Sequence, residues 1–239
     1  MTPRPRKRRI AGLALVVVLG VSGCTFHPGS AAVVNGSKIS QDEVDGLVGA
    51  ACEFTRLNRV KNHSSDEPAS SVAFFKHLFT QDLISFAITE KAAQRMHLTV
   101  TPAAVAKLAD QSPVPAGLDD DDADALTDFF DRSARSQLQL IVLGAHLKDA
   151  SVTSTADIDQ ADYQTYLPAG NRYMVGFTGQ QSVQVNPAYG SWDGGEVAAT
   201  DGSLSKPTSD DALKWLRLRK GSATSPGAVD GAPANQVCG

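Results

Sequence analysis

Basic residues are scarce in this 239-residue chain outside one short stretch. Five of its 22 lysines and arginines stand in the first 23 positions, so residues 24–239 carry 17 basic against 26 acidic side chains, a net −9. A surface that negative argues against nucleic acid, whose phosphates need a basic footprint, and against electrostatic adhesion to anionic lipid. Long apolar runs are missing as well: the best, residues 10–20, falls short of the roughly 20 residues a membrane-crossing helix needs. Cysteine is sparse, with three in all and no Cys-x-x-Cys, which argues against thiol redox catalysis. The histidines His27, His63, His77, His97 and His146 show no metal-ligand spacing, and neither a Gly-x-Ser-x-Gly elbow nor a glycine-rich phosphate loop is present. No catalytic residue, no metal and no cofactor is therefore expected. Asp120, Asp122, Asp124 and Asp131 do fall in the register of a calcium loop. Ala125, however, stands where that loop turns on glycine, so the acidic run reads as a solvated helix start.

What is present begins with an export signal. Arg4, Arg6, Lys7, Arg8 and Arg9 precede the apolar run, and Val21-Ser22-Gly23-Cys24 closes it. This closing motif resembles the lipobox of bacterial lipoproteins, an aliphatic residue and two small ones before a cysteine that receives diacylglycerol. The resemblance implies cleavage before Cys24, acylation of that cysteine, and a lipid anchor on the extracytoplasmic face of a cell membrane. Each buried methylene adds about 0.8 kcal/mol of membrane affinity, so two or three acyl chains hold durably where one does not. The alternative is an ordinary signal peptide in which Cys24 is incidental. Residues 10–12, Ile-Ala-Gly, do not continue Arg8-Arg9 as a twin-arginine signal would, which favours general secretion.

With Cys24 acylated, Cys52 and Cys238 are left as an even pair in an oxidising compartment. They are expected to bond, closing a loop worth up to about 5 kcal/mol on the chain-entropy account. Two free thiols are the alternative. A hydrophobic content of 42% with 20% charged residues fits one folded domain rather than a membrane bundle or a disordered tail.

The local patterns are mostly helical. Asn35-Gly36 between Ala32-Val33-Val34 and Lys38-Ile39 predicts a tight hairpin. Ser40 and Glu43 form a capping box that opens a helix over residues 41–61. Residues 62–68 read as a loop. Apolar residues at spacings of three and four, from Val72 through Phe75, Phe79, Leu83 and Phe86, predict a central helix over residues 70–96. Thr101-Pro102 starts a short helix ended by Pro113 and Pro115. A further helix opens in the acidic run at 119–124 and buries Leu126, Phe129, Phe130, Ala134, Leu138, Ile141 and Ala145. A fifth, from Ser154 or Thr155 to Tyr166, is expected to stop at Pro168 and Gly170. Residues 172–177 and 182–185 have strand composition. Beyond residue 200 the chain is rich in Gly, Ser, Pro and Asp, with one or two helical turns expected at 212–217. Phe74, Phe75, Phe79, Phe86, Phe129 and Phe130 fit a core at this spacing, and a binding groove would need some of them exposed.

Two segments carry a second resemblance. Ala32-Val33-Val34-Asn35-Gly36, then Lys38-Ile39-Ser40 and a capped helix, resembles the opening of the SurA-type N-terminal chaperone domain of extracytoplasmic foldases. Val183-Gln184-Val185-Asn186-Pro187-Ala188-Tyr189-Gly190-Ser191-Trp192-Asp193 resembles its closing strand. The resemblance implies an α+β, mainly α fold, with four to five helices and a small sheet formed by N-terminal and C-terminal strands. The expected divisions are a signal peptide at 1–23, a lipidated cysteine and tether at 24–30, a chaperone domain at 31–199 and a low-complexity tail at 200–239. The partners it implies are unfolded or partly folded exported polypeptides, with the membrane reached only through the anchor. Such foldases usually add a parvulin prolyl isomerase domain with paired histidines. Here the last histidine is His146, and Trp192-Asp193-Gly194-Gly195-Glu196 lacks the parvulin glycine pattern. Two other readings stay open: a degenerate prolyl isomerase and an envelope scaffold for one dedicated partner.

Overall fold

The computed structural model of the chain describes residues 28–62, 69–198 and 232–238. The expected export signal, Cys24, all but the first residue of the loop expected at 62–68 and the helical turns expected at 212–217 lie outside these residues. Among the described residues the fold is α+β and mainly α, with five α-helices and short antiparallel strands from both ends of the chain.

β1 (Ser30–Val34) turns through Asn35 and Gly36 into β2 (Ser37–Ser40). Both turn residues have positive φ, 50° and 87°, the geometry that makes Asn-Gly the preferred two-residue hairpin. The strand begins two residues earlier than the sequence pattern predicts, because Ser30 already pairs with Ser40. α1 (Gln41–Asn62) follows directly, with the Glu43 amide donating to Ser40 Oγ at 2.9 Å. The Glu43 carboxylate reaches across to Arg132. Asp42 and Glu43 in the first turn, and Arg59 and Lys61 in the last, oppose the helix dipole at each end.

Ser70–Ser71 is not the first turn of the central helix but a two-residue strand, β3, and Ser71 then caps α2 (Val72–Arg95) by accepting from the Phe74 amide at 2.9 Å. β3 pairs antiparallel with β7 (Val237–Cys238), which supplies the partner that local sequence could not reveal. α2 runs through the core. Leu83 and Ile84 are completely buried, each contributing about 1.5–3 kcal/mol of transfer free energy. α3 (Pro102–Ala109) has the expected Thr101 cap with proline at its start. α4 (Asp120–Lys148) is capped by Asp119, whose Oδ1 accepts from the Asp122 amide at 2.9 Å.

The chain departs most from its local signals after α4. Two 3₁₀ turns, Thr155–Asp157 and Gln160–Asp162, precede α5 (Tyr163–Thr178). Pro168 and Gly170 do not stop this helix, and residues 172–177 are helical rather than extended. The reason is tertiary. A Cβ on Gly144 of α4 would lie 2.0 Å from the Tyr166 carbonyl oxygen, and one on Gly170 would lie 2.0 Å from that of Leu140. The two backbones meet where neither helix carries a side chain. Around that crossing Tyr163, Tyr166 and Leu167 pack against Leu138 and Ile141. Their burial offsets the cost of an interior proline, about 3 kcal/mol in a free helix.

α5 returns the chain to β4 (Val183–Val185), which pairs antiparallel with the free edge of β1 and completes a sheet of order β2-β1-β4. The hairpin turn holds this return: the Asn35 amide donates to the Ser182 carbonyl at 2.8 Å, and the Ser182 amide donates back to Asn35 Oδ1 at 3.0 Å. β5 (Ser191–Asp193) and β6 (Glu196–Ala198) form a last hairpin across Gly194-Gly195.

Gly144→Ala and Gly170→Ala should each cost at least about 2–3 kcal/mol, since a methyl group there meets backbone that cannot yield. Gly176→Ala, where a Cβ meets nothing within 4 Å, should be neutral or slightly stabilising. Urea unfolding of the three variants checks this, and equal midpoints would contradict the tight crossing.

Candidate functional site

α1 and α4 run antiparallel, face to face. The Glu43–Arg132 ion pair joins the start of the first to the middle of the second, and the field of Glu53 acts on Asp122 at the opposite end. Between the helices lies a recess of about 490 Å³. Phe129 and Ala125 of α4 give it apolar surface, backed by the buried Leu47 of α1 and Leu83 of α2, and Asp42, Asp128, Asp131, Arg132 and Arg135 surround them. A second recess of about 190 Å³ shares Glu43, Arg132 and Arg135 with the first and continues past Phe86 beneath β2. A third, about 220 Å³, shares Ser37, Ala87 and Glu90 with the second. The recesses adjoin one another through these shared residues, and the first, between α1 and α4, is the groove of the candidate site.

Gly46 lines the first recess from the middle of α1. A glycine inside a helix costs roughly 0.5–1 kcal/mol relative to alanine. Close packing explains Gly144 and Gly170 but not Gly46, where a Cβ would meet nothing within 4 Å, nor Gly49 one turn further along. What Gly46 does is keep that wall of the groove low.

The phenylalanines divide. Phe79 is buried in the core, while Phe129 lines the first recess and Phe86 the second, both half-buried. Phe129 touches both others, edge-on to Phe79 with centroids 5.1 Å apart and tilted against Phe86 at 5.6 Å. Asp82 sits on the same face of α2, three residues after Phe79 and four before Phe86. Burial pushes its carboxyl up to about 6. Behind the groove, Asp45 accepts a hydrogen bond from the Tyr189 hydroxyl at 3.0 Å and pairs with Lys76, also at 3.0 Å, whose ammonium lies over the Tyr189 ring. This cluster ties α1, α2 and the segment after β4 together.

Of the residues singled out from sequence, Cys24 lies outside the described residues. Cys52 and Cys238 form a disulfide with their Cα atoms 4.6 Å apart, fixing β7 against α1. Asp119 to Asp122 serve as the cap and first turn of α4, and among the described residues no cluster of His, Cys, Asp and Glu has the makings of a metal site. Burial lowers the pKa of His77, and its Nδ1 is buried without a hydrogen-bond partner among the described residues. Sequence reasoning missed Asp42, Gly46, Asp128, Arg132 and Arg135, and noted Asp131 only as one place of a calcium register. The available signal was Gly46 and Gly49 inside an otherwise good helical pattern.

A SurA-like N-terminal domain is found at residues 9–116. The match is consistent with binding polypeptide in general. The matched stretch supplies the first hairpin, α1, α2 and α3, whereas α4, α5 and the closing strands lie beyond it. No curated protein and no solved structure matches the chain.

The raised Asp82 carboxyl has a defined consequence for stability. Its folded pKa of about 6 exceeds the ordinary value of 3.8, so the folded state holds the proton more tightly, and stability falls as pH rises from about 4 to about 6. Asp82→Asn should remove that part of the pH dependence. It should stabilise the protein at pH 7 by about 1–2 kcal/mol, less than the full displacement because solvent still reaches the group. Urea unfolding of both proteins at pH 4 and pH 7 measures the difference.

Proposed function

We propose, from the SurA-like N-terminal domain at residues 9–116, that this chain is an extracytoplasmic lipoprotein chaperone. It holds exposed segments of exported polypeptides in the α1–α4 groove and performs no chemistry on them. The observation that carries this reading is the groove itself: Phe129 is only half-buried along an open recess whose wall is lowered by Gly46, as is Phe86 along the recess adjoining it. An extended segment placed there would bury apolar side chains on the floor while its backbone meets polar groups at the rim. Lipid attachment at Cys24 would keep the groove at the membrane surface, where exported chains emerge unfolded. The Val21-Ser22-Gly23-Cys24 motif supports that anchor, and the net −9 of residues 24–239 leaves little electrostatic attraction to anionic lipid as a substitute.

The chain, purified in mild detergent, should suppress aggregation of a chemically unfolded test protein at near-equal molar ratio. Gly46→Ala should stabilise the fold by about 0.5–1 kcal/mol. Gly46→Phe, which fills the groove, should abolish suppression while the protein stays folded. Suppression untouched by Gly46→Phe would remove the groove from the function, and no suppression by the wild-type chain would leave a dedicated partner as the better reading.

The anchor has its own test. Labelled palmitate fed to expressing cells should enter the wild-type protein but not Cys24→Ser, and the variant should leave the membrane fraction. Equal membrane retention of the two would contradict anchoring through Cys24.

A further inference from the structure

We infer that the groove selects polypeptide segments in which large apolar side chains are flanked by lysine or arginine. This rests on reading the groove as a polypeptide site and adds the chemistry of what it takes. The first observation is charge without partners. Asp42, Asp128 and Asp131 all line the main recess, all are exposed, and among the described residues none has an ion-pair partner. Of the two cations lining the recess, Arg132 is engaged by Glu43, which leaves Arg135 against three free carboxylates.

The second observation is the spacing of acids along α4. Asp121, Asp124, Asp128 and Asp131 recur at intervals of three and four, which aligns them as one ledge beside the groove, ended by Arg135. Asp128 and Asp131 line the recess itself, whereas Asp121 and Asp124 extend the row toward the start of the helix. At that end Asp122 is pushed up by burial and then by the fields of Asp119, Glu53 and Asp121. A cationic side chain placed on the ledge would find carboxylates with no competing ion-pair partner among the described residues.

The third is the floor. Half-buried Phe129 and Ala125 supply apolar contact within the same recess, with the buried Leu47 and Leu83 behind them, so a ligand of matching chemistry must be both apolar and basic. A simple cation would leave the floor wet, and a purely apolar segment would leave the carboxylates desolvated without partners. The ledge belongs to α4, beyond residues 9–116, so the preference comes from a part of the chain outside the matched domain.

The test uses the full chain in mild detergent and three fluorescein-labelled synthetic peptides. They share one pattern of leucine and phenylalanine and carry arginine, glutamine or glutamate at the remaining positions. Fluorescence anisotropy should show the arginine peptide binding about tenfold or more tighter than the glutamine peptide, and the glutamate peptide weakest. The preference should shrink in about 0.5 M salt, which screens exposed charges. It should also collapse in the triple variant Asp42→Asn, Asp128→Asn, Asp131→Asn, whose positions are exposed and whose folding a thermal melt verifies. Equal binding of the arginine and glutamine peptides would overturn the charge preference and leave the polypeptide-binding reading standing. A preference unchanged in the triple variant would overturn its assignment to these acids. Binding of none of the three peptides would remove the underlying reading and this inference with it.

Discussion

Everything in this fold depends on covering β1 on both edges. All five of its residues are buried, so its amides and carbonyls have no recourse to water and must be paired within the protein. β2 covers one edge at once through a two-residue turn. The other edge waits for β4, about 150 residues further along the chain, and the intervening helices have to return the backbone to that place in the correct register. Asn35 marks the join, because one side chain fixes both the turn and the start of the returning strand: its Oδ1 accepts from Ser182 and its Nδ2 donates to Gln181 at 2.9 Å.

The return is made possible by the crossing of α4 and α5. Two backbones that touch at Gly144 and Gly170 leave no room for adjustment, so the direction of α5, and with it the position of β4, is set by the contact. The disulfide completes the closure at the far end by fixing the last described residues against α1. The core is thus stapled at two places, and the α1–α4 face is left between them without a covering element among the described residues. That is where the groove lies. Its two walls are bridged by the Glu43–Arg132 pair and kept low by Gly46, while its floor is continuous with the core through Leu83 and the Phe79–Phe129 contact.

The proposed function draws on the tension in that arrangement. Half-buried aromatic rings, a carboxyl raised by burial and a row of unpaired acids each cost some stability in the free protein. A groove that binds varied polypeptide segments has a use for all three: adaptable apolar contact, polar selectivity and a rim that stays soluble while empty. α2 and α4 each turn one side to the groove while the core and the α4–α5 crossing hold their other sides, so the site can be open without loosening the scaffold that presents it.

The hairpin at Asn35-Gly36, the caps at Ser40 and Thr101, the acidic start of α4 and the periodic faces of α2 and α4 were determined by sequence alone, because each rests on interactions within a few residues. Cys52 and Cys238 were recognisable as partners by elimination once Cys24 was assigned to lipid. Tertiary structure alone decided that residues 163–178 are one helix through Pro168, that Ser70–Ser71 is a strand, and that Asp42, Asp128 and Asp131 share one recess. In each of those cases the deciding partner lies far along the chain: Gly144 for α5, Val237–Cys238 for β3, and the antiparallel alignment of α1 with α4 for the groove. Local propensity carries no information about such partners, and packing free energy of several kcal/mol outweighs it wherever the two disagree.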